Sequence, residues 1–150
     1  MQDRQNPVSN IPLSKVQNNK ERYLNSDEVA RLRKAVLQSP NQMLYYIVML
    51  LILTGARRNE VLTMMWQDID FSKKIWRVKK TKSGKPRNIP LSDMSLLLLN
   101  EIEQRSIPNK YVVPNPKSGI PFKSIFYSWN TARQKAGLDD VRIHDLRHSF

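Results

Sequence analysis

The chain reads as an α+β domain, mainly α, in which helices surround a small three-stranded antiparallel sheet. Three features lead there. Apolar residues recur at three- and four-residue spacing up to residue 65 and again after residue 92. Between Trp66 and Leu91 they fall instead into short branched or aromatic runs divided by turn-like segments. The length of 150 residues, 40% hydrophobic, suits one folded domain that buries roughly two-thirds of its unfolded surface without staples.

Residues 1–20 are polar, carry two prolines and lack a hydrophobic period, so they read as an interdomain linker or arm ahead of a domain at 21–150. Ser26 can cap a first helix over 26–38, with Asp27 and Glu28 at its positive end and Val29, Leu32 and Val36 on one face. Ser39-Pro40 then reads as a cap and first-turn proline of a second helix. Apolar residues surround this helix as far as Leu53, which places it in the middle of the fold.

Thr54-Gly55 ends the second helix, and a shorter one carries Val61, Leu62 and Met65. IDF, IWRV and RNIPL then make a three-stranded meander, separated by FSKK and KSGKPR. Ser92-Asp93 caps a helix bearing Leu96, Leu99 and Ile102. A proline-rich loop over 107–121 leads to a helix whose Phe122, Ile125, Phe126 and Trp129 form a core stripe. Gly137 ends that helix, and a last one starts near Ile143.

The composition removes several chemistries. With no cysteine there is no disulfide, thiolate nucleophile, Cys-ligated zinc or iron-sulfur cluster. The apolar run from Met43 to Leu53 is too short to cross a bilayer, and the first residues lack a secretory signal, so the expected location is the cytoplasm or nucleoid. The 25 Lys and Arg against 13 Asp and Glu leave a net charge of +12, which favours a polyanionic partner.

Much of that surplus sits in one hairpin. Lys73, Lys74, Arg77, Lys79, Lys80, Lys82, Lys85 and Arg87 occur with no acidic residue among them. An edge made positive against aggregation needs one or two lysines, so a run of this density points to phosphate binding. It offers few large apolar residues to insert into a membrane.

Reactive groups cluster in three places. In TGARRNE, Arg57 and Arg58 emerge just after the buried helix ends, where a guanidinium on a rigid base can fork onto two phosphate oxygens. Lys82 stands in the basic hairpin, where an amine can give a proton to a departing oxygen. In HDLRH, His144 and Arg147 lie three apart, offering a proton carrier and a fixed cation to one anion. A zinc site on His144 and His148 lacks a third ligand, and Asp68 with Asp70 lacks the further carboxylates of a magnesium site. Two arginines, one lysine and one histidine can stabilise a pentacovalent phosphodiester without a metal, but need a nucleophile.

TGARRNEVL, WQDIDF, TKSGKPRNIPL and HDLRHSF, in this order and spacing, resemble the catalytic domain of tyrosine recombinases, the phage and mobile-element integrases. The likeness runs from Tyr23 to Phe150. It implies the fold of DNA breaking-rejoining enzymes and strand cleavage and rejoining through a phosphotyrosine, with no metal or ATP. It matches Arg57 and Arg147 to the two catalytic arginines, His144 to the histidine of HxxR, Lys82 to the hairpin lysine that acts as general acid, and Glu60 to the supporting carboxylate. Lys73, Lys74, Arg77, Lys79, Lys80, Lys85 and Arg87 are the expected DNA-binding set. Double-stranded DNA and other protomers of a tetrameric synapse are the implied partners, in a bacterial or phage-encoded protein. None of Tyr23, Tyr45, Tyr46, Tyr111 or Tyr127 stands at the family position of the nucleophile, so the chain is expected to be a truncated catalytic domain that does not cleave DNA by itself. The alternative is a noncatalytic DNA-binding protein of the same fold.

Overall fold

The computed structural model describes residues 22–79 and 84–149. The expected linker at 1–20 and the hairpin residues Lys80 and Lys82 lie outside them. Helix α1 spans Ser26–Leu37. Its N-cap is Asn25, not Ser26: Asn25 Oδ1 accepts from the Glu28 N–H at 2.8 Å and Glu28 Oε1 accepts from the Asn25 N–H at 3.0 Å. A cap at Ser26 would have put Val29 three residues on and forfeited this reciprocal pair, which contributes about 1 kcal/mol.

Helix α2, Gln42–Thr54, also begins later than the sequence suggests. Asn41 caps it by accepting from the Met43 N–H at 3.1 Å, while Ser39 Oγ accepts from the Asn41 N–H at 3.1 Å, so Pro40 stays outside. Leu44, Ile47, Val48 and Leu50 are fully buried, and α2 packs on α1 and on the elements that follow it. Its central place is the one expected from apolar residues all round. Gly55, at φ 70°, closes it in the left-handed conformation with its N–H on the Leu51 carbonyl at 3.0 Å.

Helix α3 is short, Arg58–Leu62, and stops before Met65. Thr63 Oγ1 donates back to the Asn59 carbonyl, and the chain then extends so that Met65 bridges Tyr111. A 3₁₀ turn, Trp66–Asp68, leads into the sheet of β1 (Ile69–Asp70), β2 (Ile75–Val78) and β3 (Arg87–Pro90). Their order is β1-β2-β3, all antiparallel, with Ile69 opposite Trp76 and Trp76 opposite Ile89. Those three and Val78 are buried on one face, and Arg77 and Asn88 take the other.

Helix α4, Asp93–Arg105, is capped by Ser92 as expected and buries Leu98, Leu99 and Ile102 against α2. Helix α5 is Phe126–Lys135, preceded by the Ser124 hydroxyl accepting from the Phe126 N–H. Phe122 therefore lies ahead of the helix, and the aromatic stripe breaks up. Ile125, Trp129 and Ala132 keep the helical spacing and are buried, whereas Phe126 is turned to solvent, 55% exposed.

Gly137, at φ 72°, ends α5. Arg133 Nη1 then grips the carbonyls of Asp139 and Val141, bending the chain back toward α2. The last element, Ile143–Ser149, is a 3₁₀ helix packed on α2, with Leu146 fully buried. Its Asp145, 1% exposed, accepts from the Arg142 N–H at 2.8 Å and from Arg142 Nη2 at 3.0 Å. Among the described residues no helix is long and apolar enough to cross a membrane.

Candidate active site

The break after α2 and the final 3₁₀ helix meet at an open pocket of about 690 Å³, lined in part by Arg57, Arg58, Glu60, His144 and Arg147. Two segments some ninety residues apart in the chain thus supply its cations. Arg57 is the N-cap residue of α3, its side chain 39% exposed, and sits on a rigid base because Ala56 before it is fully buried. Arg147 is joined to the same corner: its Nε donates to the Gly55 carbonyl at 2.9 Å.

His144 and Arg147 share a face more closely than an α-helix would allow, since residues three apart eclipse one another in a 3₁₀ helix. Among the described residues no group of three or more His, Asp or Glu could hold a metal ion.

Glu60 lies beneath the arginines with its side chain 5% exposed. Oε1 accepts from the Arg57 N–H at 2.8 Å, and Oε2 lies 3.6 Å from Arg57 Nη1. Arg87 closes the other side with two bonds, Nη1 to Oε2 at 2.7 Å and Nη2 to Oε1 at 2.9 Å. Burial pushes the Glu60 carboxyl up, but the Arg87 fork and the Arg57 amide outweigh it and hold the group below its ordinary value. Burial lowers the Arg147 guanidinium, and repulsion from Arg57 and Arg87 adds to the shift. An arginine remains charged at neutral pH even so. Arg57 and Arg87 pair with one carboxylate and Arg147 lines the same pocket as Arg57, and the surplus positive charge suits an anion.

The other described hairpin cations do not line this pocket. Lys74 pairs with Asp93 at 3.0 Å and Lys79 with Asp68 at 3.0 Å. Lys73, Arg77 and Lys79 line a separate groove of about 700 Å³ with Asn88 on the outer face of the sheet, and Lys85 is exposed. The hairpin, read along the chain, has no acid of its own, yet Glu60, Asp68 and Asp93 each meet one of its cations. Distant carboxylates are invisible to a local charge count. Asn59 and Thr63 also line the arginine pocket and were not singled out from the sequence, where nothing marks them from ordinary helix residues.

The sequence model of the phage integrase family matches residues 22–150. A shufflon-specific DNA recombinase of Escherichia coli is 33% identical over 145 residues, 97% of this chain and 36% of that protein. The solved structure of a XerA recombinase superposes with a TM-score of 0.68 at 27% identity, over 89% of this chain and 50% of that one. A lambda integrase dimer bound to a COC′ core site shares the fold, with a TM-score of 0.68 at 22% identity over 85% of this chain and 50% of that one. The chain spans less than half the length of the shufflon recombinase.

Proposed function

Because this chain belongs to the phage integrase family, we propose that it carries the phosphate-activating part of a tyrosine-type DNA recombinase, in which strands are cut and rejoined at specific sites. The observation that carries the reading is the convergence of Arg57 and Arg147 on one pocket, which Glu60 also lines. In this mechanism the two guanidiniums neutralise the nonbridging oxygens of one phosphodiester as a tyrosine hydroxyl attacks phosphorus. The bond to the leaving 5′-oxygen breaks, the 3′-phosphate becomes esterified to tyrosine, and reversal by a new 5′-hydroxyl rejoins the strand. His144 moves a proton at the phosphate, and Lys82 serves the leaving oxygen as general acid. No external energy source is required, because the phosphotyrosine conserves the bond.

Lys73, Lys74, Arg77, Lys79, Lys80 and Lys85 provide backbone contacts that hold the duplex without reading its bases. The kinship to a protein named as a DNA recombinase supports double-stranded DNA as the substrate. Further protomers in a synapse, and a cytoplasmic setting on the nucleoid, belong to the same reading. The test is binding to a duplex with Arg57→Ala, Arg147→Ala and both together. If the two arginines hold one phosphate, the double variant binds little worse than either single one. Strictly additive losses would place them on separate phosphates and end the proposal.

A further inference from the structure

Arg87 stands apart from the other described cations of the basic hairpin. It is paired with Val78 at the end of the sheet, and its guanidinium turns inward onto Glu60 rather than outward with Arg77. Two bonds of 2.7 and 2.9 Å engage both carboxylate oxygens at once. The same two oxygens serve Arg57: Oε1 accepts its backbone N–H at 2.8 Å, and Oε2 faces its Nη1 at 3.6 Å. A planar fork can fix both oxygens at once, whereas an ammonium makes a point contact and leaves the carboxylate free to turn.

Resting on the reading of this pocket as a phosphate site, we propose that Arg87 is a positioning residue, whose bidentate grip on Glu60 sets the direction of the Arg57 guanidinium, and that it makes no phosphate contact of its own. Charge alone does not fill this role. The fork reaches across from the sheet to α3 and ties the hairpin to the corner that bears the first arginine. Any displacement of β3 is thereby transmitted to Arg57 through a carboxylate that is 5% exposed.

The experiment is affinity for a short DNA duplex at low salt, using the 150-residue chain. The variants are Arg57→Gln, Arg87→Lys and the two combined, with urea midpoints recorded for each. Arg57→Gln is expected to weaken binding about tenfold, as for loss of a charged hydrogen bond. Arg87→Lys keeps the charge but loses the fork, and is expected to weaken binding nearly as much. The combined variant binds no worse than Arg57→Gln alone. A merely structural defect would lower affinity whether or not the Arg57 guanidinium is present. Wild-type affinity in Arg87→Lys, or additive losses in the combined variant, overturns the proposal while leaving the phosphate pocket intact. An unchanged affinity in Arg57→Gln overturns the pocket itself, and the proposal with it. Should Arg87→Lys fold poorly, Glu60→Gln interrupts the same relay from the other side and is expected to show the same non-additivity with Arg57→Gln.

Discussion

Arg147 Nε donates to the carbonyl oxygen of Gly55 at 2.9 Å, a bond between residues 92 positions apart in the chain. It uses a carbonyl exposed where α2 ends, at a glycine whose φ of 70° turns the backbone out of the helix. The second guanidinium of the pocket is therefore aimed by the C-terminus of the most buried helix. The remaining Arg147 N–H groups are left to face the pocket that it shares with Arg57.

Gly55→Ala places a Cβ in the left-handed region and should cost about 1 kcal/mol of stability. Because the Gly55 carbonyl is also the Arg147 acceptor, the variant should bind duplex DNA more weakly than its stability loss explains. Urea unfolding together with a DNA titration checks both, and unaltered DNA affinity would separate the Gly55 cap from the site.

Leu146→Ala removes a fully buried side chain from the 3₁₀ helix that carries His144 and Arg147. A loss of about 3 kcal/mol is expected from the missing apolar contacts and the cavity left behind. A change below about 1 kcal/mol by chemical denaturation would mean that this segment contributes little to folding.

Binding of the chain to duplex DNA should weaken steeply with salt. With about six phosphates neutralised, affinity falls on the order of a thousandfold between 50 and 200 mM, read as the slope of log K against log salt. A flat titration contradicts a phosphate-led interaction.

In a cleavage-competent protein containing this chain, Arg57→Ala or Arg147→Ala should each remove roughly 3 to 4 kcal/mol of transition-state stabilisation, by analogy with loss of an oxyanion donor. Single-turnover cleavage rates measure this. Near-normal cleavage by either variant takes that arginine out of the chemistry.

Acid should destabilise the fold over a defined window. Arg22 Nη2 and the Asn25 N–H bind the Glu28 carboxylate and hold its pKa at about 2 against an ordinary 4.5. Asp140, bound by Arg22 Nε at 2.8 Å, is lowered as well. The unfolded chain takes up protons first, so the stabilisation is complete above about 4.5 and disappears as pH falls toward about 2. Urea midpoints across that range should decline, and less so in Arg22→Gln; equal slopes in the two proteins would show that these carboxylates do not control the effect.

Much of the architecture was legible because the periods are local. The all-round apolar run of α2 announced a central helix, and the short runs after Trp66 announced three strands in the order found. The boundaries were less legible, because neighbouring polar residues compete for the same cap. Asn25 prevails over Ser26 through Glu28, and Asn41 prevails over Ser39 once Ser39 caps the turn before it. Phe126 falls outside the core because Phe122 lies ahead of the helix and the buried face runs through Ile125, Trp129 and Ala132.

Arg57, Glu60, His144 and Arg147 were all marked by residue type and spacing within a few positions, which linear patterns record well. The distant partners of Glu60 and Arg147 lay beyond their reach. Arg87 was grouped with the hairpin cations because it shares their charge and their stretch of chain, yet antiparallel pairing carries it back over α3 to Glu60. Periodicity follows from backbone geometry and is written within a turn or two of the chain. The meeting of Arg147 with Gly55, and of Arg87 with Glu60, depends instead on how α2, the sheet and the final 3₁₀ helix pack together, and long-range packing leaves no mark on the local pattern.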